Sequence, residues 1–167
     1  MGEHLTDTRF AAFYGLLVTE WRISERLDAE LQAAAGVSLN RLELLLHLHW
    51  KDGRRRMSDL ADALLLSRGG ATRLVARAEE DGLVRREIPP DDRRATYAVL
   101  TDAGREAAER GLPVYLEAVQ RLFHDFVDDS EAELLVRVWN RVLEGNDMAC
   151  GPVSNAAEAL DAKSLPS

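Results

Sequence analysis

Cysteine is nearly absent from this chain: Cys150 is the only one in 167 residues. That excludes an intrachain disulfide and any metal site built from several thiolates. Cys150 lies in a poorly patterned tail, and its plain reading is an incidental thiol rather than an oxidation switch. Lysine is scarce as well. Of the 21 basic residues only Lys51 and Lys163 are lysines, a bias that reflects coding as much as chemistry. No apolar run approaches the roughly 18 residues that would suggest a membrane span, and the N-terminus has no signal-peptide pattern, so a cytoplasmic chain is expected. There is no internal repeat. The histidines do not gather: His47 and His49 are two apart and do not share a helix face, while His4 and His124 are distant in sequence. Metal sensing is not expected. Nor is an enzyme, because no nucleophile–base constellation is visible and Gly69-Gly70 lacks the lysine and spacing of a phosphate-binding loop. No cofactor is expected.

What remains is a chain long enough for one domain with a real core, 46% hydrophobic and with a net charge of −8. The acidity is unevenly placed. Residues 51–110 hold 13 Lys/Arg against 12 Asp/Glu, a net +1, and the remainder holds 8 against 17, a net −9. The basic residues cluster at Arg54-Arg55-Arg56, Arg68, Arg73, Arg77, Arg85-Arg86 and Arg93-Arg94. A local basic face on an acidic protein suits DNA, whereas global basicity would favour non-specific binding.

Apolar periodicity organises the chain. Phe10, Phe13, Tyr14, Leu17, Trp21, Leu27 and Leu31 recur at three- and four-residue spacing and predict a helix over 6–35, closed by Gly36. Ser38 is placed to cap a second helix running to about Trp50. Arg54-Arg55-Arg56 then reads as a loop, either a phosphate contact or plain surface. Ser58 is expected to start a short third helix, with Leu60, Ala61 and Leu64 inward. Ser67 caps a fourth. There Ala71, Leu74, Val75 and Ala78 form one buried face, and Gly69, Arg73, Ala76 and Glu80 point away from it. Leu83–Ile88 and Ala95–Leu100 read as two strands joined by a proline-bearing turn. Thr101 caps a fifth helix of about 26 residues, expected to break or bend near Gly111–Pro113. Ser130 and Glu133 suggest a capping box for a sixth, striped by Leu134, Leu135, Val138, Trp139, Val142 and Leu143. The fold class is mainly α with a small β-hairpin wing: a winged helix-turn-helix with a helical dimerisation layer, in the order αααα-ββ-αα. Its long amphipathic end helices exceed what one small winged helix buries, which points to a symmetric dimer.

Within residues 57–100 a short helix, a tight turn, an amphipathic helix and a basic-tipped hairpin follow one another. A helix fits the major groove while a neighbouring loop reaches backbone or minor groove. Arg73, one turn into the fourth helix and on its outer face, is the leading base-edge candidate, since arginine binds guanine bidentately. Arg68, Arg77 and Thr72 suit phosphates, as do Ser67 and the N–H groups after it. Gly69 and Gly70 each cost a helix roughly 1 kcal/mol against alanine. A bare helix start that DNA can approach closely explains them, and a slightly longer turn is the alternative. Arg93 and Arg94 at the hairpin tip suit the minor groove or a phosphate clamp. Asp92 is expected to shape that tip through hydrogen bonds or an arginine pair.

LADALLLSRGGATRLVARAEEDGLVRRE followed by DDRRATYAVLTDAGRE resembles the MarR (multiple antibiotic resistance regulator) family of bacterial winged-helix repressors. The segment Asp92-Arg93-Arg94-Ala95, then Leu100-Thr101 and Gly104-Arg105, looks like the family's wing and post-wing signature. The resemblance covers residues 10–145 in layout and 57–105 in motif. It implies an obligate homodimer on a pseudo-palindromic double-stranded DNA operator, with wing arginines in the minor groove. It also implies control by a small, often aromatic or phenolic, effector held between the dimer and DNA-binding regions. Tyr14, Trp21, His47, Trp50 and Tyr115 fall on the helices flanking that cleft and would suit an aromatic effector, though each type is more often simply a core residue. Some members sense oxidants through a cysteine near the N-terminus, which this chain lacks, and Gly69-Gly70 departs from the family's Ser/Thr-rich helix start.

The expected divisions are an N-terminal dimerisation helix over 1–36, the winged helix-turn-helix over 37–101, C-terminal dimerisation helices over 102–146 and a flexible tail over 147–167, one domain in all. The expected function is a sequence-specific DNA-binding transcriptional regulator, a repressor released by a ligand. The alternative is a dimeric interaction or anti-repressor module that has lost specific DNA binding.

Overall fold

A computed structural model describes residues 7–92 and 94–148. Arg93, His4, Cys150 and nearly all of the proposed tail lie outside the described residues.

The centre of the molecule is helix α2 (Leu39–His49), with Leu42, Leu44, Leu45, Leu46 and Leu48 all buried. A helix apolar on nearly every side is one surrounded by the rest of the fold. Ser38 caps it by accepting from the Arg41 N–H. Helix α1 (Thr8–Ala35) precedes it, capped by Asp7 and ended by Gly36 in the left-handed region at φ 71. Only Leu27, Leu31 and Ala35 of α1 are buried, so its first two-thirds project past the core.

Helices α3 (Met57–Ala63) and α4 (Arg68–Glu80) form the helix-turn-helix. Leu60 and Ala61 of α3 and Ala71, Val75 and Ala78 of α4 are buried, while Leu64 and Leu74 pack half-buried on the same core. The periodicity expected for α4 is therefore the one that folds. Helix α3 starts at Met57, one residue before Ser58, and its cap residue Arg56 makes no side-chain cap bond.

The sheet differs from the expected hairpin. Arg54–Arg56 is a strand, β1, and not a loop. It pairs antiparallel with β3 (Tyr97–Leu100), whose other edge carries β2 (Val84–Glu87). Three consecutive arginines have no apolar alternation to announce a strand. The pairing comes from the distant β3, and the flanking bonds Leu100 N–H to Gly53 carbonyl (2.7 Å) and Met57 N–H to Thr96 carbonyl (2.9 Å) extend it.

Helix α5 (Asp102–Leu122) runs continuously through Pro113, so of the break or bend expected near Gly111–Pro113 the break does not occur. Ala107, Ala108, Gly111, Leu112 and Ala118 are buried along it, and tertiary packing outweighs the missing proline N–H. Gly111 allows the close approach: a β-carbon there would lie 2.7 Å from Leu42 Cδ1 on α2. After a 3-10 turn at His124–Phe126 comes α6 (Asp129–Gly145). Its capping box is Asp128 with Glu131, not Ser130 with Glu133; Ser130 instead donates to Asp128 at 2.7 Å. Helix α6 buries no residue, and Leu134 and Val142 are 53% and 54% exposed.

Candidate nucleic-acid interface

Ser67 opens α4 and its Oγ accepts the Gly70 N–H at 3.1 Å. The N–H groups of Arg68 and Gly69 have no partner among the described residues, and the Ser67 hydroxyl proton is still available to donate. Together with the positive end of the helix dipole, these donors suit a phosphate. The two glycines differ. At Gly69 a β-carbon would meet nothing within 4 Å, whereas at Gly70 it would stand 3.3 Å from the capping Ser67 Oγ. Gly69 leaves the helix start bare, and Gly70 leaves room for the cap. Thr72 Oγ1 donates to the Arg68 carbonyl at 2.8 Å, so its hydroxyl must turn before it can donate to a phosphate.

Arginine pairing sorts the basic residues. Around the sheet Arg54, Arg56, Arg85 and Arg86 are engaged, while Arg55 on the same strand as Arg54 has no acidic partner among the described residues. Arg54 meets Glu87 at 3.3 Å and stacks over the Tyr97 ring at 3.5 Å, and Arg85 also meets Glu87, at 3.2 Å. Arg86 binds Glu79 at 2.6 Å, which holds the Glu79 carboxyl below the usual range. Arg68, Arg73 and Arg77 on α4, and Arg94 in the wing, are exposed and have no acidic partner among the described residues. These four present their charge to solvent, Arg68 at the bare helix start and Arg77 in the helix's last turn.

The wing turn is held by Asp92. Its Oδ1 accepts the Arg94 N–H at 3.0 Å, its carbonyl accepts the Ala95 N–H at 3.1 Å, and its Oδ2 lies 3.8 Å from Arg56 Nη2 on β1. The wing is thus tied to the strand just before α3. The Arg56 link is not legible in the sequence, because Arg54-Arg55-Arg56 shows no strand pattern until it pairs with β3. At the other end of the wing the Thr101 hydroxyl lies within donating distance of the Gly82 and Leu83 carbonyls, at 2.8 and 2.9 Å, and accepts the Gly104 N–H at 3.0 Å. Arg41 on α2 pairs with Asp81 at the end of α4, joining that helix to the central helix.

Of the five pocket candidates, His47, Trp50 and Tyr115 are half-buried, the latter two packed against the core. Tyr14 and Trp21 stand on the projecting part of α1, 60% and 55% exposed. Glu43, one turn before His47 on α2, was not singled out from sequence, although i, i+4 spacing puts both on one face. Burial pushes the Glu43 carboxyl up. Burial and then Arg55 push the His47 imidazole down, and burial and then Glu43 push the Tyr115 phenol up. The Trp50 indole N–H is buried with no hydrogen-bond partner. No group of three or more metal-ligating side chains occurs among the described residues, and no described helix is long and apolar enough to cross a membrane.

A helix-turn-helix with a three-stranded wing, set between long flanking helices, defines a winged-helix protein. The MarR family profile matches residues 35–95. The fold is similar to the crystal structure of AbsC, a MarR family transcriptional regulator from Streptomyces coelicolor, at TM-score 0.79 and 32% identity over 87% of this chain and 98% of that one. It is also similar to Sco3205, a MarR family regulator from the same organism solved in complex with DNA, at TM-score 0.73 and 30% identity over 81% and 85%. Among curated sequences it matches the HTH-type transcriptional regulator YkoM of Bacillus subtilis, 30% identical over 55% of this chain and 60% of that one. The chain spans 52–60% of the length of the first curated relatives it matches. This chain belongs to the MarR family.

Proposed function

We propose that the chain is a sequence-specific DNA-binding transcriptional regulator that works as a homodimer, and that it is a repressor released by a small ligand. The observation that supports DNA docking best is the sorting of arginines. Arg54, Arg56, Arg85 and Arg86 around the sheet are paired with Glu87, Asp92 and Glu79, while Arg68, Arg73, Arg77 and Arg94 stand free, Arg68 at a helix start with unpaired N–H donors. Ion pairs inside the fold cannot also neutralise phosphates without being broken, so the free arginines are the ones available to DNA. In this reading Arg73 reads a base edge in the major groove, with Arg68, Arg77, Thr72, Ser67, Gly69 and Gly70 at the backbone. Arg93 and Arg94 enter the minor groove.

The dimer reading draws support from surface that the single chain leaves bare. Phe10, Phe13, Tyr14, Leu17 and Trp21 on α1 and the whole stripe of α6 find no core of their own. Joined by a two-fold axis, residues 1–36 and 102–146 make the dimer layer and 37–101 the docking unit. The two recognition helices then meet successive major grooves of a pseudo-palindromic duplex, about one helical turn apart. The chain acts in the cytoplasm in this reading, because DNA is its partner. A small aromatic or phenolic effector fits the half-buried group of His47, Trp50 and Tyr115, where an indole N–H lacks an acceptor and Tyr14 and Trp21 of α1 supply further aromatic surface.

The test is fluorescence anisotropy on labelled DNA from upstream of its own gene, against a scrambled duplex, at several salt concentrations. Saturable binding that prefers the upstream DNA and weakens steeply with salt supports the proposal. Equal, weak binding to both duplexes overturns it in favour of an interaction module.

A further inference from the structure

Three helices of this chain end in the same way. At the end of α4, Gly82 takes the left-handed conformation at φ 73, its N–H donates to the Glu79 carbonyl, and the next N–H, of Leu83, reaches back to Ala78. At the end of α6, Asp147 at φ 54 does the same, with bonds to Glu144 and from Met148 to Leu143. At the end of α3, Leu65 holds that position at φ 53, bonding to Asp62 at 3.2 Å, and the Leu66 N–H bonds to Ala61 at 2.9 Å. The hydrogen-bond scheme is one that glycine serves best, and Asp or Asn tolerably, because a β-carbon crowds the backbone there. Leucine is a poor choice for it.

Burial does not explain the choice. Leu65 is 75% exposed, so the fold recovers little from its side chain. Leu66 beside it is about half as exposed, at 38%. Position matters here. Leu65 lies two residues before Ser67, on the turn that leads into the bare start of α4. A strained residue whose side chain serves nothing inside the fold is a sign of function at the surface it faces.

We infer that Leu65 is an affinity-determining residue for DNA, packing its isobutyl group against the apolar edge of the duplex, thymine methyl or deoxyribose, when α4 docks. This rests on the DNA-docking reading proposed above. It adds an apolar, salt-independent contact to a surface otherwise made of arginines and backbone donors.

Leu65→Gly and Leu65→Asn relieve the strain, so both are expected to raise the melting temperature of the protein. On the upstream duplex bound by the parent chain, both are expected to lose five- to twentyfold in affinity with the salt slope unchanged, because no charge is removed. Leu65→Met, which keeps the apolar bulk, is expected to restore most of the affinity. Higher stability with unchanged DNA affinity in Gly and Asn overturns the inference, as does lower stability in both, which would make Leu65 a packing residue. Failure of the parent chain itself to bind DNA overturns the docking reading instead, and the two failures are told apart by that control.

Discussion

Gly104 packs against the carbonyl oxygen of Leu83 so closely that a β-carbon on it would stand 2.0 Å from that oxygen. The contact joins the first turn of α5 to the start of the wing, where the Thr101 hydroxyl also meets the Leu83 carbonyl. The obstacle is backbone, not a flexible side chain, so the structure must shift to admit any larger residue. Gly104→Ala is expected to cost about 3 kcal/mol in urea unfolding, at the upper end of overpacking effects. A change under about 0.5 kcal/mol would mean the two elements are not held in this register.

Asp92 poses a contest of signs. Removing its charge makes the wing more basic and raises non-specific attraction to DNA. Removing its carboxylate also frees the Arg94 N–H and the link to Arg56. Because these contacts are exposed, Asp92→Ala is expected to cost the fold only about 0.5–1 kcal/mol. The ratio of specific to non-specific DNA affinity is expected to fall severalfold, since a misplaced wing loses geometry while keeping charge. Competition binding with scrambled duplex measures that ratio, and an unchanged ratio would remove Asp92 from the wing's architecture.

Helix α6 gives the dimer test. Leu134 and Val142 sit two turns apart and are exposed in the single chain. Placing Glu at both would bury two unpaired charges from each protomer, four in all, in a dimer core. The double variant is expected to be a monomer by light scattering at micromolar concentration, with operator affinity lowered at least a hundredfold. A dimer of unchanged mass would move the interface off α6.

His47 makes stability depend on pH. Burial holds its imidazole below the ordinary value of 6.5, so the unfolded chain takes up this proton first as pH falls. The stability it confers is present above 6.5 and is lost below it. Glu43, raised above its ordinary 4.5, acts in the opposite sense, its contribution fading as pH rises past that value. Comparing the parent with His47→Gln isolates the histidine. From about pH 7.5 to about pH 5.5 the parent is expected to lose more melting temperature than the variant. Parallel curves would mean that His47 titrates as it does in water.

Helix α4 was legible because Ala71, Leu74, Val75 and Ala78 repeat at helical spacing and Ser67 and Gly82 mark its ends. Strand β1 was not, since Arg54, Arg55 and Arg56 become a strand only through β3, more than 40 residues away. The α6 cap was misplaced because Asp128, Asp129 and Ser130 are all capping residues with two glutamates in reach, and only the backbone decides among them. Pro113 suggested a break or bend, and the packing of buried Gly111 and Leu112 keeps the helix continuous there. Free and paired arginines look alike in sequence: Arg86 and Glu79 meet across the Gly82 turn, which no periodicity announces.

The most direct test of the account is the operator affinity of Arg73→Ala beside that of Arg86→Ala. The two substitutions remove the same charge from the same helix-turn-helix and wing unit. One arginine is free and the other is engaged by Glu79. The account predicts a loss of about 1–3 kcal/mol with relaxed base preference for Arg73→Ala, and a change under about 0.5 kcal/mol for Arg86→Ala. Equal losses, or a larger loss at Arg86, would contradict it.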